Sequence, residues 1–439
     1  MIQRIRRLSV RDLLLLGLPS IALVVGAFWL ASLYIKPAPP DRIVIATGAR
    51  DGAYYTFARQ YAEVLARDGI RLEIRETAGA VENLRLLQDP ASDVEVAFVQ
   101  GGVKPATVSQ EAPQLLKLAS VAYEPLWAFV RDRKPVDQLV QLKGRRIAVG
   151  TEGSGTRALA LLLAHANGLD AAPTKLLAIG GHDAVAALEK GEVDAAFFVA
   201  GASSPLVREL VHRKDLQLVN FSNAEAYARR FPFLARLSLP QDAISFTEHL
   251  PPRELQLVSP TARLVARDTA HPALVYLLLQ AASEVHRESG LFQRAGDFPY
   301  LRPGDFELSE DAVRYFKQGL PFLQRMFPFW LASLIERLWV LLLPVIAIVL
   351  PLAKILPPLY TWRVKSKFFK RYGELRYIEA EVDRNPTQEA LRAMLARVET
   401  LDAEVRAVAV PLAFSELLYT FRGHVDMVSE KIRARLGKA

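Results

Sequence analysis

Short apolar segments alternate with longer amphipathic ones from residue 41 to about residue 200. In the first half of this region, the pattern predicts strands and helices in alternation, at 42–46, 54–68, 72–75, 80–88 and 94–99. The same order returns in the second half, at 146–149, 155–168, 175–179, 182–190 and 195–199. Strands that alternate with helices favour a parallel sheet covered by helices. Because the order occurs twice, we predict an α/β fold of two similar lobes with a cleft between them.

Both lobe boundaries are predicted from apolar segments that follow each half. Residues 124–130 have the pattern of a strand that leaves the first lobe, and 231–233 have that of the return. Lobe one is therefore predicted to consist of residues 41–130 and 232–300, and lobe two of residues 131–231. Residues 301–330 are predicted to be a connector.

The first predicted transmembrane helix is Leu13–Ile35, a run of 23 residues without charge. The hydrocarbon core of a membrane requires ~20 apolar residues. Four arginines precede the run within residues 1–12, which predicts a cytoplasmic N-terminus by the positive-inside rule. A cleaved signal peptide is the alternative, but its apolar region typically has only ~7–15 residues.

A second transmembrane helix is predicted within residues 331–360. Its apolar part, Leu338–Ala353, has 16 residues, a length that also fits a buried core helix. Flanking tryptophans, Trp330 and Trp362, and the basic cluster at 363–371 favour a membrane span with a cytoplasmic end. Together the two spans predict a protein of the bacterial inner membrane, in contact with the lipid bilayer. The lobed domain would be periplasmic and both termini cytoplasmic.

The C-terminal segment, 361–439, has a helical pattern with breaks at Asn385-Pro386 and Pro411. Apolar stripes lie on both sides of the second break, and each stripe needs a partner surface. We therefore predict a cytoplasmic helical hairpin. Self-association of the tail between protomers and binding of a partner protein are the alternatives.

Composition excludes several classes of protein. The chain has no cysteine, so disulfide scaffolds, cysteine-ligated metals and thiol nucleophiles are excluded. The net charge of +8 comes from the two ends of the chain, because residues 41–360 hold equal numbers of acidic and basic residues. This distribution is not typical of a nucleic-acid-binding domain. The usual nucleotide-binding, zinc-protease and serine-hydrolase motifs are also missing. We therefore predict that the protein is not an enzyme and that it has no cofactor, catalytic residue or metal site.

Three turns between a strand and a helix are rich in glycine, serine and threonine: 47–55, 77–83 and 150–156. In open parallel sheets, ligands bind beyond the carboxyl ends of the strands. Helix N-termini there offer free backbone N–H groups and a partial positive charge, which favour an anion. Ordinary connecting turns are the alternative for any one of them, but three at equivalent positions favour a site for an anionic ligand.

At these turns the sequence resembles the TAXI family of solute receptors, which serve tripartite TRAP transporters. The resemblance covers roughly residues 41–300. Its motifs are Ile45-Ala-Thr-Gly48, Gly52-Ala-Tyr-Tyr55, Glu76-Thr-Ala-Gly-Ala-Val-Glu-Asn-Leu-Arg85, Val96-Ala-Phe-Val-Gln100, Leu142-Lys-Gly-Arg-Arg-Ile-Ala-Val-Gly150 and Gly153-Ser-Gly-Thr156. The resemblance implies a type II periplasmic-binding-protein fold that closes around a small carboxylate, such as glutamate or a 2-oxoacid.

The resemblance also implies which residues line the cleft and support or contact the ligand. They are Gly48, Arg50, Tyr54, Tyr55, Gly79, Glu82, Asn83 and Gln100 from the first lobe, and Gly153, Ser154 and Thr156 from the second. Arg50 departs from the family pattern: its side chain either binds the carboxylate or pairs with Asp51 in solvent, and the solvent pair is favoured.

The expected function is that of a membrane-anchored receptor that captures a carboxylate for TRAP-type uptake, with TRAP membrane subunits as partners. The alternative is a transmembrane sensor or scaffold whose lobed domain acts on the helical tail or is uncoupled from it.

Overall fold

The computed structural model describes residues 18, 20–26, 28–29, 38–104, 112–132, 134–384, 386–408, 410 and 414–437. The chain divides into two compact units. One is Ala38–Ser333, and the other combines Met1–Pro37 with Leu334–Ala439.

The first lobe of Ala38–Ser333 is built on a six-stranded sheet with the order β13-β4-β12-β3-β1-β2. Its strands are β1 (Arg42–Ala46), β2 (Arg71–Arg75), β3 (Val96–Gln100), β4 (Leu115–Tyr123), β12 (Thr261–Arg267) and β13 (Glu307–Leu308). Strands β1, β2 and β3 are parallel, whereas β12 runs antiparallel to β3 and β4. The predicted alternation of strands and helices therefore describes only one half of this sheet.

Helices cover the first sheet: α1 (Ala53–Ala66), α2 (Ala80–Gln88), α7 (Pro272–His286) and α8 (Glu310–Gln318). Helix α1 buries Ala58, Tyr61, Val64 and Leu65, which lie three or four residues apart and so share one face. Residues 301–330, predicted to be a connector, contribute β13, α8 and a short helix α9 (Phe322–Met326). Because β13 pairs with β4, part of this segment completes the lobe.

The second lobe has a five-stranded sheet with the order β7-β6-β8-β5-β9. Its strands are β5 (Leu126–Val130), β6 (Arg146–Ala148), β7 (Lys175–Leu177), β8 (Ala195–Val199) and β9 (Gln217–Leu218). The helices are α3 (Gly155–Ala166), α4 (Gly181–Lys190), α5 (Pro205–Val211) and α6 (Ala224–Arg230), with a 3₁₀ turn at Leu139–Leu142. A two-stranded antiparallel sheet of β10 (Ala235–Leu239) and β11 (Leu255–Ser259) packs on the same core.

The chain crosses between the lobes at two places that differ from the prediction. Strand β4 ends at Tyr123 in the first sheet and β5 begins at Leu126 in the second, while β11 and β12 meet around Pro260. The predicted crossovers near 130 and 231 are therefore displaced, because 126–130 and 232–259 belong to lobe two. Strand β5 is buried along its whole length, so its apolar pattern fits either sheet.

The C-terminal unit contains helix α10 (Phe329–Asp383) from Leu334 onward and two further helices, α11 (Gln388–Arg406) and α12 (Ser415–Leu436). The predicted apolar stripes of α11 and α12 pack together around Val398, Leu401 and Phe421. Phe368 and Val382 of α10 join the same core. The tail is therefore a bundle of three helical segments, one more than the predicted hairpin contains.

Within the described residues, no helix is long and apolar enough to cross a membrane. The predicted span Leu13–Ile35 lies mostly outside the described residues, and the span within 331–360 falls inside α10. The structure therefore gives no support to the two predicted transmembrane helices.

Candidate functional site

A cavity of about 160 Å³ lies between the two lobes. By the same kind of measure a single water needs only ~10–15 Å³, so the cavity has room for a small molecule. The three glycine-containing turns and the first crossing segment, through Glu124, contribute to its wall. The lining residues are Gly48, Gly52, Ala53, Tyr54, Ala78, Gly79, Ala80, Gln100, Glu124, Ser154, Gly155, Thr156, Val199, Ala200 and Ser204.

Three helices begin at this cavity. The first residues of α1, α2 and α3 are Ala53, Ala80 and Gly155, and all three line it. The first N–H groups of an α-helix have no acceptor within their own helix. The partial positive charges of these helix ends therefore converge on one small volume, which favours an anionic group there.

The lobes touch each other at the rim of the cavity. The Gly153 carbonyl of lobe two accepts hydrogen bonds from the backbone N–H groups of Val81 (3.1 Å) and Glu82 (3.3 Å) in lobe one. The Gln100 side-chain amide of lobe one likewise donates to the Gly155 carbonyl of lobe two at 3.0 Å. These contacts hold the two lobes in a closed arrangement around the cavity.

Two glycines permit this close approach. Gly153 has a φ of +78°, a conformation that other residues rarely adopt. At Gly155, an added Cβ would lie 2.4 Å from the Gln100 Oε1 atom and 3.3 Å from the Ala80 Cβ atom. A side chain at position 155 would therefore push the lobes apart at this point.

Six of the residues implied by the family resemblance line the cavity: Gly48, Tyr54, Gly79, Gln100, Ser154 and Thr156. The Ser154 and Thr156 hydroxyl groups in this set have hydrogen bonds within lobe two. The Ser154 hydroxyl donates to the Thr151 carbonyl and accepts from the Arg157 N–H. The Thr156 hydroxyl accepts from the Val199 N–H at 3.2 Å. At the start of α3, the backbone is therefore the better candidate for contact with a ligand.

Arg50 and Tyr55 do not line the cavity. The Arg50 side chain is 78% exposed and pairs with Glu76 at 2.9 Å. Asp51, its favoured partner in the sequence prediction, instead lies 3.3 Å from His182 of the other lobe. The predicted Arg50–Asp51 pair is therefore wrong, because Glu76 at the end of β2 lies closer to the guanidinium group.

Asn83, Glu82 and Gly153 also lie outside the cavity lining and have structural contacts of their own. The fully buried Asn83 amide donates to the carbonyls of Thr47 and Phe98 (2.8 Å to the second), and its oxygen accepts from the Thr77 hydroxyl at 2.6 Å. The Glu82 carboxylate accepts from the Ala78 N–H at 2.7 Å. The Asn83 and Glu82 side chains therefore stabilise the turns without lining the cavity.

The sequence prediction missed Glu124. This residue follows β4 at the first crossing between the lobes, lines the cavity and is only 6% exposed. Its Oε2 atom accepts a hydrogen bond from the Tyr54 hydroxyl at 2.9 Å. Burial raises the pKa of Glu124 to about 8, and the same loss of solvent raises the pKa of Tyr54. The sequence did contain one signal for this residue: Glu124 is an acidic residue between two apolar strands and directly before a proline.

The described lining contains no lysine, arginine or histidine. A search of the described residues also finds no group of His, Asp or Glu side chains that could hold a metal ion. The polar character of this cavity therefore comes from backbone groups, from Gln100 and small hydroxyls, and from the Tyr54–Glu124 pair.

Comparison with known proteins gives a family match and several similar structures. The model of the NMT1-like family matches residues 45–296, which include the three turns and Glu124. The alkanesulfonate-binding protein SsuA from Xanthomonas axonopodis pv. citri, bound to MOPS, is 16% identical over 56% of this chain and 74% of its own, with a TM-score of 0.39.

Two other solved structures are similar at the same level. The periplasmic aliphatic sulphonate binding protein SsuA from Escherichia coli is 15% identical over 71% of this chain and 84% of its own, with a TM-score of 0.37. An ancestral arginine-binding protein bound to arginine is 14% identical over 57% of this chain and 94% of its own, with a TM-score of 0.36.

Proposed function

Because the chain belongs to the NMT1-like family, we propose that it is a solute-binding protein whose two lobes close around a small anion such as a carboxylate. One observation carries the proposal: three helix N-termini converge on a cavity of about 160 Å³ between the lobes. An anion held there gains from several backbone N–H groups at once.

Closure of the lobes would couple to binding. The cavity wall comes from both lobes, so a bound ligand contacts both only when they are closed, and its differential affinity favours the closed state. The contacts of Gly153 and Gln100 across the rim stabilise that state. Two adjacent crossings, joined by the hydrogen bond from the Glu124 N–H to the Pro260 carbonyl, provide a hinge.

The finer proposal is a TAXI-type receptor that delivers a carboxylate to TRAP membrane subunits from the periplasmic face of the inner membrane. The motifs Glu76–Arg85 and Gly153–Thr156 support it, and the uncharged run Leu13–Ile35 after four arginines supports an N-terminal anchor. Alkaline carbonate extraction of membranes tests the anchor, and release of the full chain into the supernatant would contradict it.

The ligand proposal is tested by thermal shift and calorimetry on the full chain. The panel contains glutamate, pyruvate, 2-oxoglutarate and succinate, each beside its uncharged amide or ester. A carboxylate at a hundred times its Kd should add about 2.7 kcal/mol to the free energy of unfolding. The amide or ester should add much less, because the helix ends then lose the charge that they stabilise. Equal stabilisation by both forms, or by neither, would contradict an anion site.

A further inference from the structure

The cavity contains one acidic side chain whose position is fixed. The Glu124 backbone N–H donates to the Ser259 hydroxyl at 2.9 Å and lies 3.1 Å from the Pro260 carbonyl. Its Oε2 atom is bonded to the Tyr54 hydroxyl, while Oε1 has no hydrogen-bond partner among the described residues. Oε1 is therefore not completely enclosed by protein atoms. We therefore assign it to the wall of the cavity.

No described cationic side chain pairs with this carboxyl group. The Tyr54 hydroxyl from α1 donates to the carboxyl group, whereas the Ser259 hydroxyl from β11 contacts the Glu124 backbone N–H. Arg263 of β12 lowers the pKa of Tyr54 by its charge, but it forms its own salt bridge with Asp305 at 2.6 Å. An ionised Glu124 would therefore be an uncompensated buried charge, which agrees with its pKa of about 8.

An anion in so small a cavity would lie close to Glu124. Two like charges at short range in a buried site repel strongly, so an ionised Glu124 would oppose the attraction of the three helix ends. A neutral carboxyl group has the opposite effect, because it has an O–H group to donate.

We propose that Glu124, in its neutral form, donates a hydrogen bond to the bound anion and so selects carboxylates without an ammonium group, such as 2-oxoacids. The inference rests on the proposed function. It adds that the occupied site contains the anion together with one proton, which Glu124 carries. When Glu124 is ionised in the empty site, binding must take that proton from water. An amino acid would have the opposite linkage, because its ammonium group favours ionised Glu124.

Calorimetry on the full chain tests the inference with matched pairs: pyruvate against L-alanine, and 2-oxoglutarate against L-glutamate. These 2-oxoacids keep their charge between pH 6.5 and pH 9. With a pKa of about 8 for Glu124, the Kd of the 2-oxoacid should rise about tenfold over this range. In Glu124→Gln, the amide cannot ionise, so the ratio of the two Kd values should be close to one.

Two further variants separate Glu124 from other titrating groups. Burial also lowers the pKa of Lys117 to about 8, but this residue lies outside the cavity lining. Lys117→Gln is therefore the matched control and should keep the tenfold pH dependence. Tyr54→Phe removes the hydrogen bond that lowers the pKa of Glu124, so the midpoint of the pH dependence should move to higher pH. This second variant tests the inference even if Glu124→Gln does not fold.

The outcomes are distinct. Tighter binding of the amino acids, with an affinity that rises towards pH 8, would overturn the inference and leave the proposed function standing. A tenfold pH dependence that survives in Glu124→Gln, or an unmoved midpoint in Tyr54→Phe, would also overturn it. If the wild-type chain binds no carboxylate in either panel, the proposed function fails and the inference fails with it.

Discussion

Asn83, a residue within one of the family motifs, has its side chain fully engaged in contacts that hold the fold together. Its side chain connects the end of β1, through the Thr47 carbonyl, with β3, through the Phe98 carbonyl. The residue is completely buried and its oxygen is bonded to Thr77. The sequence places Asn83 in a turn beside the cavity but does not show which way its amide points. For this reason the sequence left open whether Asn83 supports the site or contacts the ligand, and the structure shows its amide in a supporting position.

Replacing Asn83 with alanine should therefore lower the free energy of unfolding of the lobed domain by about 3 kcal/mol. The change removes three side-chain hydrogen bonds: those from the Asn83 amide to the Thr47 and Phe98 carbonyls, and that from the Thr77 hydroxyl to the Asn83 oxygen. The Thr77 hydroxyl can still donate to the Thr47 carbonyl at 3.2 Å, but the Phe98 carbonyl loses its amide partner and the emptied space is buried, and an unsatisfied buried group costs about 1–3 kcal/mol. Urea unfolding measures the effect, and Arg85→Ala, on the exposed face of the same helix, is the control. A stable Asn83→Ala protein that has lost carboxylate affinity would restore the ligand role.

At the scale of elements, the sequence predicts the parallel half of each lobe better than its antiparallel part. The strand–helix alternation identifies β1, β2 and β3, and again β6, β7 and β8, because an amphipathic helix separates each strand from the next within each set. No helix separates β4 from β5, or β11 from β12. Strands β4, β5 and β12 are also buried over most or all of their length. Their sheet membership depends on long-range pairing, which a local pattern does not contain. The hinge and Glu124 were missed for the same reason.

The contact between α2 and the start of α3 is an element-scale feature with a testable consequence. In Gly155→Ala, the new methyl group would displace the Gln100 amide and crowd Ala80. Loss of one hydrogen bond across the rim destabilises the closed state by about 1 kcal/mol, so carboxylate affinity should fall about fivefold. Gly290→Ala is the control, since an added Cβ there meets its nearest neighbour at an ordinary 3.5 Å. An affinity that is equal in both variants would show that this contact does not contribute to closure.

At the scale of the molecule, two buried groups give opposite pH dependences of stability. They are His286 in the first lobe and Glu124 at the hinge. Burial lowers the pKa of His286 to about 3, so its neutral form is the folded one. Below pH 6.5, His286 binds a proton in the unfolded chain but not in the folded chain. The free energy of unfolding therefore falls as the pH falls from 6.5. Glu124 has a raised folded pKa, so its contribution is fully present below pH 4.5 and is lost as the pH rises towards 8.

Between pH 7 and pH 5, these two contributions should nearly cancel in the empty wild-type protein. On going from pH 7 to pH 5, the titration of His286 lowers the free energy of unfolding by about 2 kcal/mol, and that of Glu124 raises it by a similar amount. Both values follow by linkage from pKa values of about 3 and about 8 in the folded protein. Single variants should separate them. Glu124→Gln should lose about 2 kcal/mol of unfolding free energy on going from pH 7 to pH 5, because only the histidine still titrates. His286→Gln, which keeps a polar group near the Tyr61 hydroxyl, should gain a similar amount. Urea unfolding at the two pH values measures both, and the same pH dependence in the two variants would mean that these groups do not control the stability of the lobed domain.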